Sequence, residues 1–198
     1  FRKGRLIYYS LNTKSTIYNL FKTDINLNPA FDFIKEGYFW VKSIAPEKIP
    51  DELYCPTRDI FQVRLEALGR QLESKLGQDA YLITAVAGEI GNNSFDHNVG
   101  NWPDVPGVFF GRNISKRNII LADRGQGVFR TLKRVVTHIS DDKEALNIAF
   151  TKNISGRSPE KRGNGLKFVK GVIKDRKWNL RFDSGSASLT INSKGALR

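Results

Sequence analysis

Glu89-Ile90-Gly91-Asn92-Asn93-Ser94-Phe95-Asp96-His97 is the stretch around which the rest of the chain can be read. On a helix, Glu89, Asn93 and His97 stand at i, i+4 and i+8, drift by about 80° and share one face. Ile83, Val86 and Ile90 give that helix an apolar side with which to dock. The shared face presents a carboxylate and an amide. Such a pair suits a Mg²⁺-bound phosphate, because Mg²⁺ takes few protein ligands and keeps waters that a carboxylate orients or deprotonates. A Glu and an Asn four apart also occur on ordinary solvated helices, so this stretch alone does not decide between the two.

Two more stretches carry the decision. Asp123-Arg124-Gly125-Gln126-Gly127 comes directly after the apolar run Ile119-Ile120-Leu121-Ala122, so an Asp ends a buried strand and two glycines make the turn. Gly163-Asn164-Gly165-Leu166 then opens the helical pattern Phe168, Val169, Val172, Ile173. Glycines at a helix start permit close backbone approach, and the free N–H groups and dipole there favour phosphate.

Together these three stretches resemble the ATP-binding domain shared by DNA gyrase, heat-shock chaperone ATPases, sensor histidine kinases and the mismatch-repair ATPase, the Bergerat fold. Glu89 to His97 resembles its N box, Asp123 to Gly127 its Asp-x-Gly-x-Gly box and Gly163 to Leu166 its second glycine box. The resemblance covers roughly residues 59–192. It implies that Asn93 coordinates Mg²⁺ and that Asp123 accepts a hydrogen bond from the adenine amino group. Gly125 and Gly127 would shape the adenine pocket, with Val128 counted among the nucleotide-binding residues. Gly163 and Gly165 would bring backbone N–H groups to the phosphates, together with Asn164 and Leu166. Glu89 would be the general base or water-orienting group: the matching Glu activates water in hydrolysing members and a hydroxyl in the serine kinases that inhibit sigma factors. Where histidine kinases usually carry a further Gly after Gly-x-Gly-Leu, this chain has Lys167.

His97 either touches a phosphate or simply closes the helix as a polar residue. Residues 151–162 read as a basic, glycine- and proline-bearing lid. In it, Arg157 or Arg162 either contacts the γ-phosphate through its planar guanidinium or belongs to a solvated loop.

The chain has 198 residues, 40% of them hydrophobic, enough for one good core. No apolar run approaches the ~20 residues that span a bilayer. The single cysteine, Cys55, has no internal disulfide partner and fits a reducing cytoplasm. Residues 1–58 read as an N-terminal appended region of uncertain fold. Strand composition is expected at Leu6 to Tyr9 and at Phe39-Trp40-Val41, and a short helix at Ile17 to Phe21. Half the aromatics fall within residues 1–54, either as a small apolar subdomain or as a platform for nucleic-acid bases.

From Asp59 onward the pattern is that of one ATP-binding domain, 59–198. Phe61, Leu65, Leu68, Leu72 and Leu76 form a helical stripe closed by Gly77. A second helix from about Gln78 to Asn98 contains the N box, and its Gly88 and Gly91 ask for close packing or ligand approach. Val108 to Phe110 and Asn118 to Ala122 read as neighbouring strands, and Val128 to Val136 as helical. Asp141 and Glu144 read as a capping box. Trp178 to Phe182 and Ala187 to Ile191 read as a hairpin. The expected class is α/β (α+β): a two-layer sandwich, helices on one face of a mixed, mostly antiparallel sheet.

A net charge of +12 exceeds what one ATP requires. A basic surface attracts acidic proteins, nucleic acid or anionic membranes. Neither His97 nor His138 sits on a separate dimerising helix pair, and there is no room for the second domain of gyrase-type ATPases. The expectation is therefore a short stand-alone module, similar in size to the anti-sigma serine kinases. It would bind ATP and Mg²⁺, act as a signalling ATPase or protein kinase-like regulator, and take an acidic protein partner or separate regulatory domain. The alternative is an ATP-gated binding module without turnover that contacts nucleic acid or a partner protein through its basic surface.

Overall fold

The computed structural model describes residues 32–45, 48–114, 116–152 and 164–192, and the backbone of 5–10. The helical stripe read from Asp59 onward forms α2 (Arg58–Leu76), which buries Phe61, Leu65, Leu68 and Leu72. Thr57 caps it by accepting the Ile60 N–H. Gly77 ends it at φ +51°, a left-handed conformation that costs a residue without Cβ little. The chain then enters α3 (Gln78–Asn98), which packs on α2.

Six strands make one sheet in the order β2-β3-β4-β1-β5-β6. They are β1 (Arg5–Ser10), β2 (Tyr54–Cys55), β3 (Val108–Asn113), β4 (Asn118–Asp123), β5 (Asn179–Ser184) and β6 (Ala187–Ile191). Every pairing is antiparallel, so the sheet is not mixed. The remaining helices are α1 (Phe33–Lys42), α4 (Gly127–Lys133), α5 (Asp142–Thr151) and α6 (Gly165–Asp175). No described helix is long and apolar enough to cross a membrane.

The helices do not all lie on one face. Val108 and Phe110 of β3, with Ile119 and Leu121 of β4, join the main core with α2, α3 and the later helices. Phe109, Ile120 and Ala122 point the other way and pack with Phe33, Trp40 and Val41 of α1. Side chains alternate along a strand, so an unbroken apolar run demands cover on both faces. Val108-Phe109-Phe110 and Ile119 to Ala122 are such runs. Helix α1 approaches closely through Gly37, where a Cβ would stand 3.3 Å from Ile120 and Phe109.

The strand expected at Phe39-Trp40-Val41 is therefore the end of a helix. Asp32 caps it by accepting the Ile34 and Lys35 N–H groups. Phe33, Gly37, Trp40 and Val41 recur at helical spacing and are buried, which outweighs the strand preference of three aromatic and β-branched residues. Nor do the described strands before Asp59 stand apart as an appendage. Strand β1 lies between β4 and β5, pairing Arg5 with both Asp123 and Ser184, and β2 joins the edge at β3. Strand formation at Leu6 to Tyr9 agrees with expectation, whereas Ile17 to Phe21 falls outside the described residues.

Candidate functional site

Helix α3 is held from behind by α2. A Cβ on Gly91 would overlap the Phe61 ring, and one on Gly88 would lie 3.2 Å from Leu65, so the two glycines set the distance between the helices. Gln62 donates to the Asn92 amide oxygen at 2.9 Å, and Arg58 pairs with Asp96. These contacts fix the rotation of α3. The face bearing Glu89, Asn93 and His97 is left for other partners.

What meets that face is the start of α6. A Cβ added at Gly165 would overlap the Glu89 carboxylate and stand 3.9 Å from the Asn93 amide nitrogen. Glu89 is exposed and Asn93 half-buried. The structure thus brings three of the sequence-predicted residues together from segments more than seventy positions apart. Asn164 makes no side-chain cap to α6, leaving the first-turn N–H groups and the positive end of the helix dipole beside the carboxylate. Leu166 packs half-buried against the main core. Lys167, at the position that departs from histidine kinases, donates to the Lys152 carbonyl at 3.2 Å and joins the end of α5 to the first turn of α6.

Asp123 lies at the other end of α3. It ends β4, is 2% exposed, and pairs in register with Val108 and Arg5. Its carboxylate accepts the Gly125 N–H at 2.9 Å, which closes the turn. A Cβ at Gly125 would overlap the Asn98 amide. That amide accepts the Gln126 N–H at 2.9 Å and donates to the Ser94 carbonyl at 2.7 Å. Gln126 also donates to the His97 carbonyl at 3.3 Å, so half-buried His97 borders the loop through its backbone. Gly127 takes φ +79° as α4 begins. The Val128 N–H donates to the Ser184 hydroxyl at 2.9 Å, and its side chain is buried in the main core.

Sequence reading missed Asn98, Arg124 and Ser184. An Asn at a helix end, an Arg in a polar loop and a Ser before a hairpin glycine look ordinary. Nothing local announces that all three converge on one turn. Arg157, Arg162 and Gly163 lie outside the described residues.

The residues fit a magnesium-bound nucleoside triphosphate. Among the described residues no three His, Cys, Asp or Glu side chains cluster as a resident metal centre. A Mg²⁺ that arrives on phosphates needs only one or two protein oxygens. Asn93 and Glu89 would supply them beside Gly165, where a Cβ would overlap the Glu89 carboxylate. From Glu89 to Asn98 α3 rises by about 13 Å, the scale of an extended nucleotide, and connects the α6 start to the Asp123 turn. No family model, curated protein or solved structure matches the chain.

Proposed function

We propose that this chain is a Mg-ATP-binding regulatory protein of the Bergerat type, with slow ATP hydrolysis or phosphate transfer to a protein hydroxyl. The observation that carries the reading is the meeting of Glu89 and Asn93 with the α6 start at Gly165, while Asp123 is buried in its turn at the far end of the same helix. Adenine binds at Asp123, whose carboxylate accepts from the exocyclic amino group. Asn93 offers its amide oxygen to Mg²⁺, and the N–H groups of Gly165 and Leu166 donate to phosphate oxygens. Mg²⁺, when bound, neutralises charge on the phosphates and supports in-line displacement.

Glu89 orients the attacking water or hydroxyl and takes its proton as the new phosphorus–oxygen bond forms and ADP leaves. Its exposure suits that task, because an acceptor must reach it. The remaining positive charge serves an acidic protein partner.

Titration calorimetry with Mg²⁺ and a nonhydrolysable ATP analogue tests the reading. Saturable binding by the wild type, weakened by Asp123→Ala by about 1–3 kcal/mol, is the expected result. No heat of binding at millimolar ligand contradicts it.

A further inference from the structure

Arg124 comes directly after Asp123 and is held by hydrogen bonds from all three of its guanidinium nitrogens. Its guanidinium is 1% exposed, although a charged loop residue ordinarily faces water. Nε and one terminal nitrogen donate to the same Asp104 oxygen at 3.0 and 2.7 Å. That terminal nitrogen also donates to the Ser43 carbonyl at 2.9 Å. The other donates to the Trp40 carbonyl and to the Ser43 hydroxyl at 3.1 Å. Five contacts thus engage a group that has five N–H donors.

The Trp40 and Ser43 carbonyls stand at the C-terminal end of α1, where the helix dipole favours a cation. The guanidinium also lies 5.8 Å from the Trp40 ring centre. The turn is consequently gripped from two sides. Arg124 fastens it to α1 on the second face of the sheet and to Asp104 in the α3–β3 connection. Asn98 accepts the Gln126 N–H and lies close against Gly125, which ties the turn to α3 on the first face. With Arg124 and Gln126 pinned and the Gly125 N–H between them bonded to the Asp123 carboxylate, the direction of that carboxylate follows where these two helices sit.

We propose that Arg124 is a positioning residue that couples α1 to the adenine side of the site, so that the placement of α1 sets nucleotide affinity through Asp123. The inference rests on the ATP-binding proposal and adds a route by which a partner on α1 regulates it. Coupling of this kind is reciprocal, so adenine binding must also tighten α1. The phosphate side, built from Glu89, Asn93 and Gly165, shares none of Arg124's contacts and should not respond.

The test uses the full chain as wild type, Arg124→Lys and Asp104→Asn, titrated with Mg-ATP analogue and separately with Mg-tripolyphosphate. Amide hydrogen exchange is followed across residues 37–45. Both variants should weaken the ATP analogue by about tenfold while tripolyphosphate binding changes less than about twofold. In the wild type the analogue, but not tripolyphosphate, should slow exchange at Val41 to Ser43, and Arg124→Lys should abolish that difference. Equal loss of both ligands would mark Arg124 as merely structural and overturn the inference, as would unchanged affinity for both. Should neither variant fold, the wild-type exchange arm decides alone: no analogue-dependent slowing in α1 overturns it. A wild type that binds tripolyphosphate but shows no preference for the ATP analogue overturns the ATP reading itself, a result distinct from either variant outcome.

Discussion

The Asp123 turn and the start of α6 both carry a Gly-x-Gly pattern, yet the fold treats them differently. The first is buried, donates hydrogen bonds to Asn98, to Ser184 and, through Arg124, to the end of α1, and is anchored to both faces of the sheet. In the second, Gly165 faces the ends of two side chains, an exposed Glu89 and a half-buried Asn93. Among the described residues no hydrogen bond or ion pair engages either of those side chains. A rigid turn recognises shape, and a lightly held face leaves polar groups available for chemistry. Under the ATP-binding proposal, the difference would give recognition to one glycine segment and phosphate handling to the other.

The largest effect should come from breaking the rigid side. Arg124→Ala leaves Asp104 and the α1 carbonyls without their buried cation, and urea unfolding should show a loss of about 3–5 kcal/mol. Glu89→Gln on the open side should change stability by no more than about 0.5 kcal/mol. An equal cost at both positions would erase the contrast.

The same Glu89→Gln substitution should lower turnover by about 10²-fold and leave ATP affinity within a few-fold, measured by phosphate release and by titration. A wild type without turnover, whose affinity for a protein partner still responds to ATP, would sharpen the contrast differently. Both glycine segments would then recognise, and neither would react.

How much of the molecule is legible in its sequence depends on the range of each signal. The limits of α2 and α3 are readable because the leucine stripe and Gly77 are local. That both faces of the sheet are covered is also written in the unbroken apolar runs of β3 and β4, but strand-rich Phe39-Trp40-Val41 hides the helix that covers one of them. The place of β1 between β4 and β5 depends on pairings more than a hundred residues distant, which no local pattern encodes. The three motifs point to Glu89, Asn93, Asp123 and Gly165 as candidates, because their residue types are tied to chemistry. Asn98 and Arg124 escape because their role exists only once α1, α3 and the turn are assembled.

A smaller effect separates two glycines of α6. Gly171 has open space where a Cβ would stand, so Gly171→Ala should raise stability by about 0.5–1 kcal/mol. Gly165→Ala must push the Glu89 carboxylate aside, so its cost should appear in tripolyphosphate affinity rather than in the melting temperature. If both substitutions behave alike in the two assays, Gly165 has no special place.

The smallest effect lies outside both segments and serves as a control. Glu144 accepts the Ser140 N–H and hydroxyl, both at 2.8 Å, and these bonds hold its pKa below the ordinary carboxylate value. A carboxylate lowered in the folded state adds stability above its unfolded pKa and loses it as pH falls through the folded one. Glu144→Gln should therefore flatten the acid limb of the stability curve, below the ordinary carboxylate range, with no change in nucleotide affinity. An unaltered acid limb would remove the control.

The most direct test of the central claim is an amide NMR titration of the wild-type chain with Mg²⁺ and nonhydrolysable ATP. Binding as proposed moves resonances of the Asp123–Val128 turn together with those of Asn93, Gly165 and Leu166, all saturating with one dissociation constant. Mg-tripolyphosphate moves only the second group. No saturating change at either glycine segment, or shifts confined to the lysines of α6, would contradict the claim and leave charge alone as the basis of any ATP binding.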